Sequence, residues 1–170
     1  MRSLLLSLCL LFFPLMSIAQ SNNSCGCCTE THAQFDFWIG SWEVTNPDGS
    51  AAGKNTLIKL QDNCVLQENW ISATPGYTGT SNSFYNLATK QWEQIWVDNK
   101  GQSLHLKGNR IGNQMILRTD EAKNSEGTTY FHQVTWTDNK DGTVRQYWET
   151  ITQDGNVTVA FDGLYKKVQE

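Results

Sequence analysis

The chain beyond residue 38 consists of short apolar and aromatic runs separated by turn signals, with hardly any helical periodicity of 3.6 residues. The runs are rich in Val, Ile, Thr, Trp, Tyr and Phe, which favour strands. Segments with Gly, Asn, Asp or Pro, such as Asn46-Pro47-Asp48-Gly49, favour turns. The pattern predicts ten β-strands, over residues 39–46, 53–61, 64–73, 79–87, 91–98, 103–110, 114–120, 128–137, 143–153 and 157–168.

Short connections decide how these strands are arranged. Each predicted connection has only a few residues, so consecutive strands pair as antiparallel hairpins. An open meander of this length would expose two long edges, and closing it removes both. We therefore predict an all-β fold, a ten-stranded antiparallel up-and-down β-barrel, as one domain over residues 35–170.

The segment from Thr29 to Trp38 is the one stretch that fits a helix. Thr29 or Thr31 would cap it, and Phe35, Phe37 and Trp38 would then face inward. We expect a short N-terminal plug helix over one end of the barrel. It would begin in a Cys-rich segment that spans residues 20–34.

Six motifs occur in a specific order along the chain: FDFWIGSWEV, CVLQENW, GTSNSFYN, QWEQIWVDNKG, DGTVRQYWE and FDGLYKK. Together they resemble a family of secreted bacterial proteins of unknown function that are regarded as lipocalin-like. The resemblance covers nearly all of residues 35–167. It implies a calycin-type barrel and brings no established catalytic or ligand residues with it.

Lipocalin-like barrels begin with a short plug helix and then Gly-x-Trp, which here is Gly40-Ser41-Trp42. The resemblance implies structural roles for Gly40 and Trp42, with Trp42 packed under a basic residue of the last strand, Lys166 or Lys167. More distantly, the chain resembles nitrobindin-like barrels, which hold haem through a histidine. Their glycine-rich extension of the Gly-x-Trp opening is absent here, so we expect no haem cofactor.

The first 19 residues have the features of a secretory signal peptide. An apolar stretch from Leu4 to Met16 is followed by Ser17-Ile18-Ala19, which has the small-x-small pattern that signal peptidases cut. The stretch is shorter than the roughly 20 apolar residues of a membrane-spanning helix. We predict cleavage near Ala19 and a secreted or periplasmic protein without an integral membrane segment.

Charge narrows the choice of partners. The formal net charge is −4, and the longest basic cluster of the chain is Lys166-Lys167. Proteins that bind nucleic acid present a basic patch or stripe. We therefore expect neither nucleic acid nor an anionic membrane surface as a partner.

Four cysteines follow the predicted cleavage site, and an even number in an exported chain points first to disulfides. Cys64 opens the third predicted strand at one rim of the barrel, and the plug brings Cys25, Cys27 and Cys28 to a rim as well. One of the three is expected to pair with Cys64. We favour Cys28, because it is nearest to the plug.

A metal site formed by Cys25, Cys27, Cys28 and His32 is the alternative, since thiolates and imidazole suit zinc or Cu(I). Structural zinc sites usually use two separated pairs of ligands, and adjacent cysteines do not easily reach one ion. A C-x-x-C redox motif also occurs at Cys25 to Cys28, but without the βαβ context of thioredoxin-like sites. We therefore expect no metal.

Candidate ligand-binding residues come from the predicted barrel interior, because ten strands enclose more space than eight. In the third strand Glu68 and Trp70 lie on the more apolar face, so Glu68 is expected inside, with Arg145 as its counterion. The fifth and ninth strands show no clean inner face, and Arg145 with Glu149 would equally suit a surface pair. His132 is the histidine best placed for a ligand. The candidates are Glu68, Trp70, Tyr85, Gln94, Trp96, His132, Arg145 and Glu149.

The predicted function is binding of a small apolar or amphipathic molecule inside the barrel. The alternative is a small acid–base enzyme of the isomerase, cyclase or lyase type, with Glu68, Tyr85, His132 and Arg145 in its pocket. A second titratable group within hydrogen-bonding reach of Glu68 or His132 would favour the enzyme. An aromatic cavity with satisfied polar groups would favour the binder, and a filled interior with an exposed apolar patch would favour an interaction module.

Overall fold

The computed structural model describes residues 25–168, and the predicted signal peptide with its cleavage site near Ala19 lies outside them. A 3₁₀ helix, Asp36–Trp38, precedes the strands. The strands are β1 (Gly40–Thr45), β2 (Ala51–Leu60), β3 (Val65–Ser72), β4 (Thr78–Asn86), β5 (Gln91–Asp98), β6 (Ser103–Ile111), β7 (Gln114–Thr119), β8 (Ala122–Lys123), β9 (Thr129–Asp138), β10 (Val144–Thr152) and β11 (Val157–Lys167). No helix in this part of the chain is long and apolar enough to cross a membrane.

All strands except β8 form one closed antiparallel barrel. Each pairs with its neighbours in this series, and β1 pairs with β11. β10 is hydrogen-bonded to both β9 and β11, which completes the circle. The ten predicted strands are all present, with ends within two residues of the prediction. The predicted all-β, up-and-down barrel is therefore confirmed, and β8 is a short addition paired to one end of β9.

The cross-strand register shows which side chains share the interior. Glu68 lies opposite Leu57 on one side and Ser81 on the other, and Ser81 lies opposite Trp96. Directly paired residues project from the same face of a sheet. Because Glu68, Leu57 and Ser81 are buried, this row faces the barrel interior.

The predicted plug exists, but most of it is not a helix. Residues 29–35 form turns, and only Asp36–Trp38 is helical, as 3₁₀. Lys59 Nζ donates to the His32 carbonyl at 2.8 Å, and Arg110 Nη1 donates to the Gln34 carbonyl at 2.7 Å. These barrel side chains take up carbonyl oxygens that an α-helix would use internally. The plug is thus fastened to the barrel at the expense of its own helical hydrogen bonds.

An aromatic cluster fills the plugged end. Phe35 and Trp38 are both completely buried, and their rings stack with centroids 5.2 Å apart. Trp92 and Trp136 pack edge-on against Phe35. Residues three apart lie on the same side of a 3₁₀ turn, which explains why Phe35 and Trp38 face inward together. Phe37 is only half-buried and lies under the Arg110 guanidinium.

The rim beside the plug carries two disulfides. Cys27 pairs with Cys64, and Cys25 pairs with Cys28. The predicted bridge from Cys64 to the plug segment is present, but the choice of Cys28 as its partner was wrong. Cys28 instead closes a tight loop with Cys25, and the Asn63 side-chain amide lies 3.1 Å from the Cys28 sulfur.

Trp42 occupies the structural position implied by the Gly-x-Trp opening. Its indole is buried, and the basic side chain above its ring belongs to Lys167, with Nζ 5.5 Å from the ring centroid. Lys166 does not take this place, because it is paired with Glu43 on the opposite face of β1. Gly40 has a positive φ of 128°, and a Cβ there would lie 2.7 Å from Lys167 Cε. Glycine at position 40 thus leaves room for the lysine that covers Trp42.

Candidate ligand cavity

A cavity of about 340 Å³ occupies the half of the barrel opposite the plug. Its rim is formed by the β1–β2 and β3–β4 connections, where residues such as Asn46 and Thr74 line it. Its inner wall combines apolar side chains with Glu68, Gln94 and Gln146. Ligand cavities in proteins have this volume and this mixture of an apolar lining with a few polar groups.

Aromatic rings form much of the cavity wall, and interior glycines make room for two of them. Trp70, Trp96 and Trp148 all line the cavity. A Cβ at Gly53 would lie 2.7 Å from the Trp70 ring, and one at Gly79 would overlap the Trp96 ring. Glycine in a strand commonly marks such a close approach. The two indoles therefore lie against the backbone of neighbouring strands, which keeps the centre of the barrel open.

Glu68 is the carboxylate of the cavity, and only 4% of its surface is exposed. Asn55 Nδ2 donates to its Oε1 at 2.7 Å, and Ser81 Oγ donates to its Oε2 at 2.6 Å. Both partners come from the adjacent strands β2 and β4 at interior positions. The inward orientation expected for Glu68 is found, and its hydrogen-bond partners are neutral.

Burial governs the ionisation of Glu68. Loss of water around the carboxylate raises its pKa to about 7, although the hydrogen bonds from Ser81 and Asn55 act in the opposite direction. The side chain is therefore close to half-ionised at neutral pH. The same burial, followed by the Glu68 charge, raises the pKa of Tyr165 well above its ordinary range, so the Tyr165 hydroxyl keeps its proton.

The pKa of Glu68 predicts a pH dependence of stability. A carboxyl with a higher pKa in the folded state stabilises the fold fully below its unfolded pKa of about 4.3, and this stabilisation is lost as pH rises to about 7. We expect the free energy of unfolding of the wild type to fall by about 2 to 3 kcal/mol between pH 5 and pH 8, relative to Glu68→Gln. Urea unfolding at several pH values measures this difference.

Glu126→Gln is the matched control, since Glu126 is exposed in the β8–β9 connection. This variant should follow the wild-type pH profile. Parallel profiles for the wild type and Glu68→Gln would show that Glu68 titrates normally and would contradict the expectation.

Two further polar pairs lie along the inner wall, while the buried Oδ1 of Asn55 has no hydrogen-bond partner among the described residues. Gln94 Nε2 donates to Ser83 Oγ at 3.1 Å, and the Tyr165 hydroxyl donates to Gln146 Oε1. Satisfied amides and hydroxyls hold fixed positions and keep some hydrogen-bonding capacity for a ligand. The polar side chains of the cavity wall are thus held in fixed positions among the aromatic rings.

Half of the predicted ligand-binding residues line the cavity. These are Glu68, Trp70, Gln94 and Trp96. Tyr85 faces inward but lies at the plugged end, with its ring 5.8 Å from His32 and 6.1 Å from Trp92. It supports the plug rather than the cavity.

Arg145 and Glu149 lie on the outer wall of the barrel. Arg145 forms a two-pronged ion pair with Asp162, with Nε–Oδ1 and Nη2–Oδ2 distances of 2.8 Å. The expected ion pair between Arg145 and Glu68 is therefore wrong. The inner face of β10 carries Gln146 and Trp148 instead, and Glu149 shares the outer face with Arg145.

His132 points inward near the open end, where it packs behind the cavity wall. Trp148 Nε1 lies 3.1 Å from His132 Nδ1 and donates to it. The imidazole is therefore neutral with its proton on Nε2, and burial lowers its pKa, which favours the same state. In this arrangement His132 orients the Trp148 indole.

Sequence reasoning missed several residues of the site, namely Asn55, Ser81, Gln146, Tyr165 and the glycines at positions 53 and 79. Their signal lay in the pairing of neighbouring strands rather than in any one strand. Ser81 lies opposite Glu68 and Asn55 lies opposite Trp70, and cross-strand pairs share a face, so strand pairing carries the signal for these two residues.

Comparison with known proteins finds no family model that matches the chain and no curated protein that matches it. The closed antiparallel barrel is compatible with a calycin or lipocalin-like fold.

Proposed function

We propose that this protein is an exported, calycin-type barrel that binds a small amphipathic molecule in its open half. The observation that supports this most directly is the cavity of about 340 Å³, walled by three tryptophans and closed below by the plug. A protein that binds no ligand would be more stable with this space filled by side chains, since close packing stabilises cores. The resemblance to secreted lipocalin-like proteins agrees with this assignment.

The hydrogen bonds of the cavity support binding over acid–base catalysis. Glu68 has the pKa that a general acid or base requires, but its partners Asn55 and Ser81 do not titrate. Tyr85, His132 and Arg145, the other members of the acid–base set, do not line the cavity. Besides Glu68, the titratable groups of the cavity wall are Tyr77 and Tyr165. Burial raises the pKa of both hydroxyls, so both keep their protons at neutral pH.

Export is supported by the two disulfides at the plugged end, because disulfides persist in oxidising compartments. The tether from Cys27 to Cys64 keeps the plug on the barrel. A fixed plug leaves ligand exchange to the opposite, open rim.

A cavity-filling substitution tests the proposal. Leu104 lines the cavity opposite Trp96, whereas Ile95 lies on the outer wall of the adjacent strand. We expect Leu104→Trp to weaken binding of the neutral apolar probe N-phenyl-1-naphthylamine by at least about tenfold, because the added ring occupies ligand space. Ile95→Trp, the matched control, should bind as the wild type does.

Native mass spectrometry of protein from its own compartment supplies the second measurement. The wild type and Ile95→Trp should retain a small molecule that Leu104→Trp lacks. Equal probe binding by all three proteins would place the probe outside the barrel and overturn the proposal. A wild type that binds no probe and retains no molecule would overturn it as well.

A further inference from the structure

We propose that the ligand is an organic cation, an amine or quaternary ammonium group on an apolar body, with its charge directed at Glu68. The inference rests on the proposed function and specifies the ligand class for the same cavity. The charges, the hydrogen-bonding capacity and the aromatic lining of the cavity support this ligand class.

In the part of the chain that the structure describes, no positive side chain of the cavity wall balances Glu68. Among residues 25–168, none of the lysines, arginines or histidines lines the cavity. The cation expected from the sequence, Arg145, is outside and occupied by Asp162. Lys59 projects inward but is held at the plug by Asp36 at 2.7 Å. The counterion of an ionised Glu68 would therefore have to come from the ligand.

The Glu68 carboxylate has hydrogen-bonding capacity to spare. Each of its oxygens accepts one hydrogen bond from the protein, and an ionised carboxylate oxygen can accept two. A buried carboxylate without a cationic partner is costly, and an opposite charge nearby recovers part of that cost. An ammonium group beside Glu68 would neutralise the charge of the buried carboxylate.

The walls suit the rest of such a ligand. Trp70, Trp96 and Trp148 line the cavity with Phe161, and indole faces attract organic cations most strongly among the aromatic side chains. The apolar body of the ligand would lie among the same rings. A neutral ligand would use the rings but leave the Glu68 charge unpaired, and an anion would meet it with repulsion.

The groups that face Glu68 define how binding depends on pH. They are Asn55 from β2, Ser81 from β4 and Tyr165 from β11. Of these only Tyr165 titrates, and its proton stays bound. Tyr77 also lines the cavity, but its hydroxyl donates to Asp98 and its pKa is raised by burial. Lys59 and His132 point inward elsewhere and make their hydrogen bonds to other partners. Binding of a permanent cation should thus follow the ionisation of Glu68 alone, and should strengthen as pH rises through about 7.

The test uses phenyltrimethylammonium, which keeps its charge at every pH, and its neutral isostere tert-butylbenzene. Each is titrated against bound N-phenyl-1-naphthylamine at pH 6 and pH 8. We expect the cation to bind about tenfold more tightly at pH 8, because the ionised fraction of Glu68 rises from about one-tenth to about nine-tenths. The neutral isostere should bind equally at both pH values and more weakly than the cation at pH 8.

Glu68→Gln separates the charge from the shape of the site. This variant should give the circular dichroism spectrum of the wild type, which shows that it is folded, and should lose both the preference for the cation and its pH dependence. Tighter binding of the neutral isostere at pH 8, or a pH dependence that persists in Glu68→Gln, would overturn the inference while the proposed function stands. Binding of none of the three probes by the wild type would overturn both.

Discussion

Trp42→Ala is expected to lower the free energy of unfolding by about 3 to 5 kcal/mol, as other large-to-small changes of buried tryptophans do. The indole is 2% exposed and packs edge-on against Tyr165. Its Nε1 donates to the Trp38 carbonyl at 2.9 Å, which joins the plug to β1. The substitution therefore leaves a cavity, an unpaired carbonyl and a loosened plug.

Denaturant unfolding of three variants separates these contributions. Trp42→Phe keeps much of the packing but loses the hydrogen bond to Trp38, so it should fall between the wild type and Trp42→Ala. Trp148→Ala is the control for tryptophan removal in general, because Trp148 is half-buried beside existing open space and should cost less. A free energy of unfolding that Trp42→Ala leaves unchanged would refute the structural role of Trp42.

The second large effect is expected from the disulfide that tethers the plug. Cys27→Ser with Cys64→Ser should cost about 4 kcal/mol of stability, since the bridge closes a loop across a sequence separation of 37 residues. Cys25→Ser with Cys28→Ser should cost about 2 kcal/mol, because that bridge closes a loop across only three. Bringing the ends of a loop together costs more chain entropy when the loop is longer. The disulfide that closes the longer loop is therefore expected to contribute more to stability.

Each double variant removes both partners of one bridge, so no cysteine is left without its mate. Unfolding by urea, with a count of free thiols under denaturing conditions, checks both expectations. The variant that keeps Cys27 and Cys64 should contain no free thiol and should be the more stable of the two. The opposite order of stability would contradict the pairing of Cys27 with Cys64.

The barrel strands could be predicted from the sequence because their signals are local. A run of β-branched and aromatic residues bounded by Gly, Asn or Asp identifies a strand and its turns together. β8 has only two residues and carries no pattern of its own. The plug was misread as a helix for a different reason, since its carbonyls are bonded by Lys59 and Arg110 from distant parts of the chain.

Only part of the candidate site could be predicted from the sequence. Glu68 and Trp70 share a face whose apolar character shows in β3 itself, and both line the cavity. β10 has residues of similar polarity on its two faces, so nothing within it shows that Arg145 lies outside. Asp162, paired from β11, decides that orientation, and the bulge between Trp148 and Glu149 adds a local irregularity to the same strand pair.

The sequence alone determined the all-β class, the number and order of the barrel strands, their antiparallel pairing and the presence of a cysteine tether. These follow from local preferences and short connections, which act over a few residues. Only the tertiary structure decided that Cys27 meets Cys64, that Lys167 covers Trp42, and that Glu68 is buried in a cavity with neutral partners. Each of these depends on the register and closure of strands far apart in the chain, where a shift of one residue would send every side chain to the other face.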